Sequence, residues 1–155
     1  MKKLLAMLCA LLLALGLAGC TTQHDDLYDN DSAIASENNR YMVVKFFGSL
    51  PGENQYDFSV SSITGARTLW KFNAQGEEEV TLSASLAESN GGRVKLVLVS
   101  PSGAVTTLAE ASASSDSDDY TFTAQPGVWQ AKLVGAEEPT LEGSLRFSHG
   151  NVSTD

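Results

Sequence analysis

A chain of 155 residues with 19 acidic and 10 basic side chains has room for one packed domain and too little for two comfortable ones. Its net charge of −9 repels phosphate backbones and anionic headgroups, which argues against a nucleic acid partner and against a basic face lying on a membrane. Two cysteines and two histidines leave almost nothing for a disulfide framework, a zinc site or a nucleophilic triad.

The chain begins with Lys2 and Lys3 and continues from Leu4 to Leu17 in Leu, Ala and Met almost throughout. A basic head followed by a short apolar run is the layout of a secretory signal. A membrane-spanning helix needs roughly 20 apolar residues, and this run is shorter and ends in the small residues Ala18 and Gly19. Residues 1–19 are therefore read as a cleaved signal peptide, whose loss removes Lys2 and Lys3 and takes the formal charge from −9 to −11. Cys9 leaves with that peptide, so no disulfide is possible in what remains.

Leu17-Ala18-Gly19-Cys20 resembles the lipobox of bacterial lipoproteins. The resemblance implies a diacylglyceryl group on the Cys20 thiol, cleavage before Cys20, and an extracytoplasmic protein held on a bacterial membrane. Each buried acyl methylene contributes about 0.8 kcal/mol, so two chains give stable anchoring. After Cys20 the composition turns polar: residues 20–40 read as a flexible acidic tether, with Leu27, Tyr28 and Ile34 isolated and without period. A coil of that length reaches about 25 Å. Asp29 and Asp31 begin a calcium-loop pattern, but neither the required Gly nor a closing Glu follows.

From Tyr41 onward, short β-branched and aromatic runs alternate with turn residues. YMVVKFF, QYDFSV, ARTLWKF, EVTLSASL, RVKLVLV, AVTTLA, YTFTA, VWQAKLV and LEGSLRFS make about nine strands over residues 41–149, with 150–155 expected as a disordered tail. Period two is clearest in Val80, Leu82, Ala84 and Leu86, and again in Leu141, Gly143, Leu145 and Phe147. The expected fold is all-β: two antiparallel sheets packed face to face in a jelly-roll-like sandwich.

Ser100-Pro101-Ser102-Gly103 supplies a proline that presets φ and a glycine that closes a hairpin. With Gly127-Val128-Trp129 and Gly143-Ser144-Leu145, this stretch resembles the pre-peptidase C-terminal and P-domain accessory families over about residues 66 to 148. That resemblance implies a jelly-roll-like sandwich and no catalytic residues.

His24 and His149 lie outside the strands, so neither is placed to serve as a base. Paired carboxylates are the remaining catalytic chemistry, because a glycosidase needs two of them across a cleft. Asp57 and Glu142 lie within strands on faces opposite Tyr56/Phe58 and Leu141/Leu145, and read as surface charges, Glu142 facing Arg146. Glu88 and Glu110 complete the set that a concave site would have to bring together. Parity places Trp70 with Phe72, and Trp129 with Ala131 and Leu133, as core anchors in place of a sugar platform, with Arg67, Leu69 and Lys71 opposite Trp70. Asp116, Asp118 and Asp119 end a small-residue loop and are weak calcium candidates; no cofactor is expected. The sequence thus points to a lipid-anchored, non-enzymatic binding module for a protein or carbohydrate, with a small carbohydrate-active enzyme or a structural subunit of an envelope complex as alternatives.

Overall fold

Val80, Leu82, Ala84 and Leu86 are buried while every residue between them keeps some exposure, as expected of a strand with one face on a core. The computed structural model describes residues 24–111 and 118–153. Its strands are β1 (Arg40–Gly52), β2 (Gln55–Ala74), β3 (Glu78–Glu88), β4 (Arg93–Val99), β5 (Val105–Glu110), β6 (Asp118–Ala124), β7 (Gly127–Ala136), β8 (Thr140–Phe147) and β9 (Asn151–Val152). A 3-10 turn at Asp25–Leu27 and the one-turn helix α1 (Asp31–Ile34) precede them. Among the described residues no helix is long and apolar enough to cross a membrane.

QYDFSV and ARTLWKF, expected as separate strands, are the two halves of β2. The chain bends between them without losing its ladder, taking positive φ at Ser62 (58°) and Gly65 (91°). The glycine is required there: a Cβ at Gly65 would stand 2.9 Å from the Tyr41 Cα. The first half of β2 pairs with β8, and β8 with β3, and β3 with β6; the second half pairs with β7, β7 with β4, and β4 with β5. All of these pairings are antiparallel. With the halves of β2 numbered as consecutive strands, the sheets run 1-8-3-6 and 2-7-4-5, the wrapping order of a jelly roll. The all-β sandwich is therefore as expected. β1 lies along the outer edge of β2 and follows it around the corner, Val43 facing Ile63 and Lys45 facing Ser61.

Between the sheets lies one core cluster that includes Trp70 from β2, Val80 and Leu86 from β3, Leu96 from β4, Leu133 from β7 and Leu145 from β8. Phe122 of β6 meets Trp129 of β7 across the rim, ring centroids 4.7 Å apart. A bulge between Thr68 and Trp70 lets both Leu69 and Trp70 face inward, which corrects the expected polar placement of Leu69. Arg67 turns inward too, its guanidinium over the Phe46 ring.

Two expected boundaries change. Residues 24–39 are not a tether: Leu27, Tyr28 and Ile34 are buried, the last two against Ala66, Val97, Val99, Val134 and Ala136 on the outer face of the second sheet. RVKLVLV is apolar on both of its faces, and the second face needs a cover. The segment is also tied by polar contacts. Asn39 Oδ1 accepts from Thr68 N and Thr68 Oγ1, both at 2.8 Å, Arg93 pairs with Asp29 at 2.9 Å, and Lys132 Nζ donates to the Ser36 carbonyl. Nor is the C-terminus disordered up to Ser153. Val152 and Asn151 pair with Trp70 and Lys71, Ser153 N donates to Leu69 O at 2.8 Å, and the His149 carbonyl accepts from Trp70 Nε1 at 2.8 Å. Without that carbonyl the indole N–H would be buried unpaired.

Candidate functional site

Because successive side chains of a strand alternate between faces, the register of four neighbouring strands fixes which residues share the outer surface of the first sheet. One row across it reads Phe47 (β1), Ser59 (β2), Glu142 (β8), Ala87 (β3). The row beside it reads Ser49, Asp57, Ser144, Ser85. The small side chains Ser59, Ser144, Ser85 and Ala87 leave a depression of about 520 Å³ among the larger Phe47, Asp57 and Glu142. On the inner face beneath it, Phe58, Leu86, Leu141 and Leu145 are packed into the core, so its floor is rigid backbone.

Asp57 and Glu142 are diagonal neighbours on adjacent strands, Glu142 opposite Ser59 and Asp57 two residues along. Asp57 Oδ1 accepts from Gln55 Nε2 at 2.8 Å, and Gln55 Oε1 in turn accepts from Arg146 Nε at 3.2 Å. Arg146 therefore serves Gln55, not Glu142. Ser85 and Ser144 share a hydrogen bond of 2.8 Å across the floor. Phe47, 65 % exposed, offers its ring face at the edge. The surface is thus rich in acceptors and hydroxyls beside one aromatic plane, a combination suited to a ligand that donates many hydrogen bonds.

Of the four carboxylates considered from sequence, two line this depression and two are elsewhere. Glu88 accepts from the backbone N–H groups of Asn90 (2.5 Å) and Gly92 (3.2 Å), closing the β3–β4 turn, and these bonds hold its carboxyl below the usual range. Glu110 accepts from the Tyr28 hydroxyl at 2.9 Å, and burial followed by that bond raises the Tyr28 hydroxyl well above its ordinary range. Asp119 receives the Ser83 hydroxyl on the β3–β6 ladder. Asp116 and the side chain of Asp118 lie outside the described residues, as does Cys20. Among the described residues no three His, Cys, Asp or Glu side chains come close enough to hold a metal ion.

Trp70 is fully buried, whereas Trp129 is half-buried at the rim with its Nε1 donating to Gln125 O at 3.0 Å. The aromatic ring exposed beside the depression is Phe47, which sequence reasoning passed over. Its signal was present in YMVVKFF, where an apolar run interrupted only by Lys45 cannot bury both faces of an edge strand.

No family model matches this sequence, and none of the curated proteins does. Solved structures of similar shape include the pre-peptidase C-terminal domain of collagenase from Bacillus anthracis, at 14 % identity and TM-score 0.36, covering 71 % of this chain and 89 % of that one. Another is described as "CBM4 structure and function", at 14 % identity and TM-score 0.36, covering 83 % of this chain and 91 % of that one. Likeness at this level carries no argument about ligand or activity.

Proposed function

We propose that this chain is an extracytoplasmic lipoprotein, anchored through acylated Cys20, whose β-sandwich binds a hydroxyl-rich ligand such as an oligosaccharide on the outer face of its first sheet. The observation that carries the binding reading is the convergence of Phe47, Asp57 and Glu142 around a rigid, serine-lined floor. Sugar hydroxyls donate to carboxylates, and a pyranose face stacks on an aromatic ring. The Leu17-Ala18-Gly19-Cys20 junction supports the anchor. Only residues 21–23 separate Cys20 from the described chain, and even fully extended they reach about 14 Å, so the anchor would hold the domain close to the membrane.

Screening the full-length protein in detergent against a neutral oligosaccharide array, followed by calorimetric titration of the strongest binder, tests the ligand. Phe47→Ala and Asp57→Asn should each weaken binding about tenfold or more, the loss expected for a stacking plane or a charge-assisted hydrogen bond. Absence of binding, or affinity indifferent to both changes, overturns this reading. For the anchor, Cys20→Ala should shift the protein from the membrane fraction to the soluble one.

Shared lining by Asp57 and Glu142 also favours a second reading, a small glycosidase. Against it, the depression is open to solvent, so neither carboxylate is enclosed as a proton donor would be. Release of reducing sugar, abolished by Glu142→Gln, would establish hydrolysis in place of binding.

A further inference from the structure

Arg67 lies within the sandwich mouth between β1 and the C-terminal segment, and no carboxylate among the described residues answers its charge. Its guanidinium carbon sits 3.8 Å from the centroid of the Phe46 ring and 5.3 Å from that of Tyr41. Its Nε is buried without a hydrogen-bond partner, and among the described residues no carboxylate forms an ion pair with it. In a chain with nearly two acids for every base, a guanidinium left unpaired is notable because partners are abundant. Ring faces attract the cation but accept nothing from its in-plane N–H groups.

A second unanswered group lines the same cleft. Ser153 is 8 % exposed, and its Oγ has no partner. The backbone holds it there, since Ser153 N donates to Leu69 O at the end of the β9 pairing. Arg67 and Ser153 share a cleft of about 600 Å³ whose walls include Phe46, Tyr56 and Phe147 and whose mouth carries Glu53. The guanidinium is close enough to Tyr56 to counter part of the rise that burial imposes on its hydroxyl. Buried donors without acceptors are unfavourable, and an occupant that supplied acceptors would relieve both at once.

We propose that this cleft binds a small organic monocarboxylate with a ring or apolar body, its carboxylate received by Arg67 and Ser153 and its body lying among the aromatic walls. A planar carboxylate matches the guanidinium fork. One cation balances one negative charge, whereas a phosphate dianion would be left undercompensated beside Glu53. The volume exceeds what a small inorganic anion fills, and its ring-lined walls suit carbon better than water. The cleft meets the carboxylate-lined depression at Gly48 and Ser49 but Arg67 and Ser153 line the cleft alone, and its proposal does not rest on that reading.

The test titrates the full-length protein in detergent with benzoate, D-glucuronate, acetate and inorganic phosphate at constant ionic strength, followed by calorimetry and by the Tyr and Phe side-chain resonances. Benzoate or glucuronate should bind saturably and at least tenfold more tightly than acetate or phosphate. Arg67→Lys, which keeps the charge and loses the fork, should weaken that binding at least tenfold, and Ser153→Ala should weaken it several-fold. Phe47→Ala should leave it unchanged. No saturable response to either ring carboxylate overturns the proposal, as does equal response to phosphate, or an Arg67→Lys protein that is folded by circular dichroism and binds as tightly as the parent.

Discussion

Trp70→Ala is expected to destabilise the fold by about 3 to 5 kcal/mol, because the indole is fully enclosed and its truncation leaves a cavity and an unclaimed His149 carbonyl. Trp129→Ala should cost about 1 to 2 kcal/mol, since only part of that ring leaves water. Urea unfolding of the two variants would rank them. Parity in the sequence places both rings inward, which is correct; it carries no information on how far along the sandwich each ring lies, and rim differs from centre by that alone. Arg67 and Leu69 were misplaced for another reason. A single extra residue between Thr68 and Trp70 flips the alternation upstream of it, and no turn residue marks the bulge. Lys132 shows how little a strand's own pattern says about what covers it: on the face opposite Leu133, it is buried beneath the Ser36 carbonyl, and burial, with Lys71 nearby, lowers it to about 8. From about pH 8 up to the ordinary lysine value of 10.5, the unfolded chain holds a proton that the folded chain has released, so stability should rise with pH across that window. Past about pH 10 the raised Tyr28 works the other way, because only the unfolded chain ionises there. Melting curves from pH 7 to 11 should show the rise and then the fall, and Lys132→Met should remove the rise alone.

At the level of elements, the segment from Asp25 to Asn39 behaves as part of the domain. Ile34→Ala should cost about 2 to 4 kcal/mol, the usual range for emptying a buried aliphatic site. Truncation before Arg40 should lower the melting temperature and increase binding of an apolar dye, since Val97, Val99 and Val134 would face water. A truncated protein as stable as the parent would show that the segment merely rests on the sheet. This packing was half legible. LVLV in β4 and KLVGA in β7 place apolar residues on both faces, which signals a covering element. The cover itself was not legible, because three apolar residues spaced as Leu27, Tyr28 and Ile34 form no period in one 3-10 turn and one turn of helix. Likewise β9 has two residues, too few for alternation to register.

For the whole molecule, the jelly-roll order followed from strands that read clearly as one-sided, and the candidate depression followed from their register. Asp57 and Glu142 were visible in sequence as strand carboxylates on solvent faces; their meeting was not, because β2 and β8 are some 80 positions apart in the chain and only the closed sheet brings them side by side. The corner in β2 has a mechanical meaning. The N-terminal segment rests on the outer face of the second sheet, and the Phe47 depression lies on the outer face of the first. One covalent strand, Gln55–Ala74, runs through both sheets. If the proposed anchor and ligand are both engaged, tension between them would pass from one outer face to the other along that strand, across a sandwich whose sheets are about 10 Å apart. β1 pairs with β2 on both sides of the corner, so one continuous neighbour braces the bend. Such a body would transmit load as a stiff bracket.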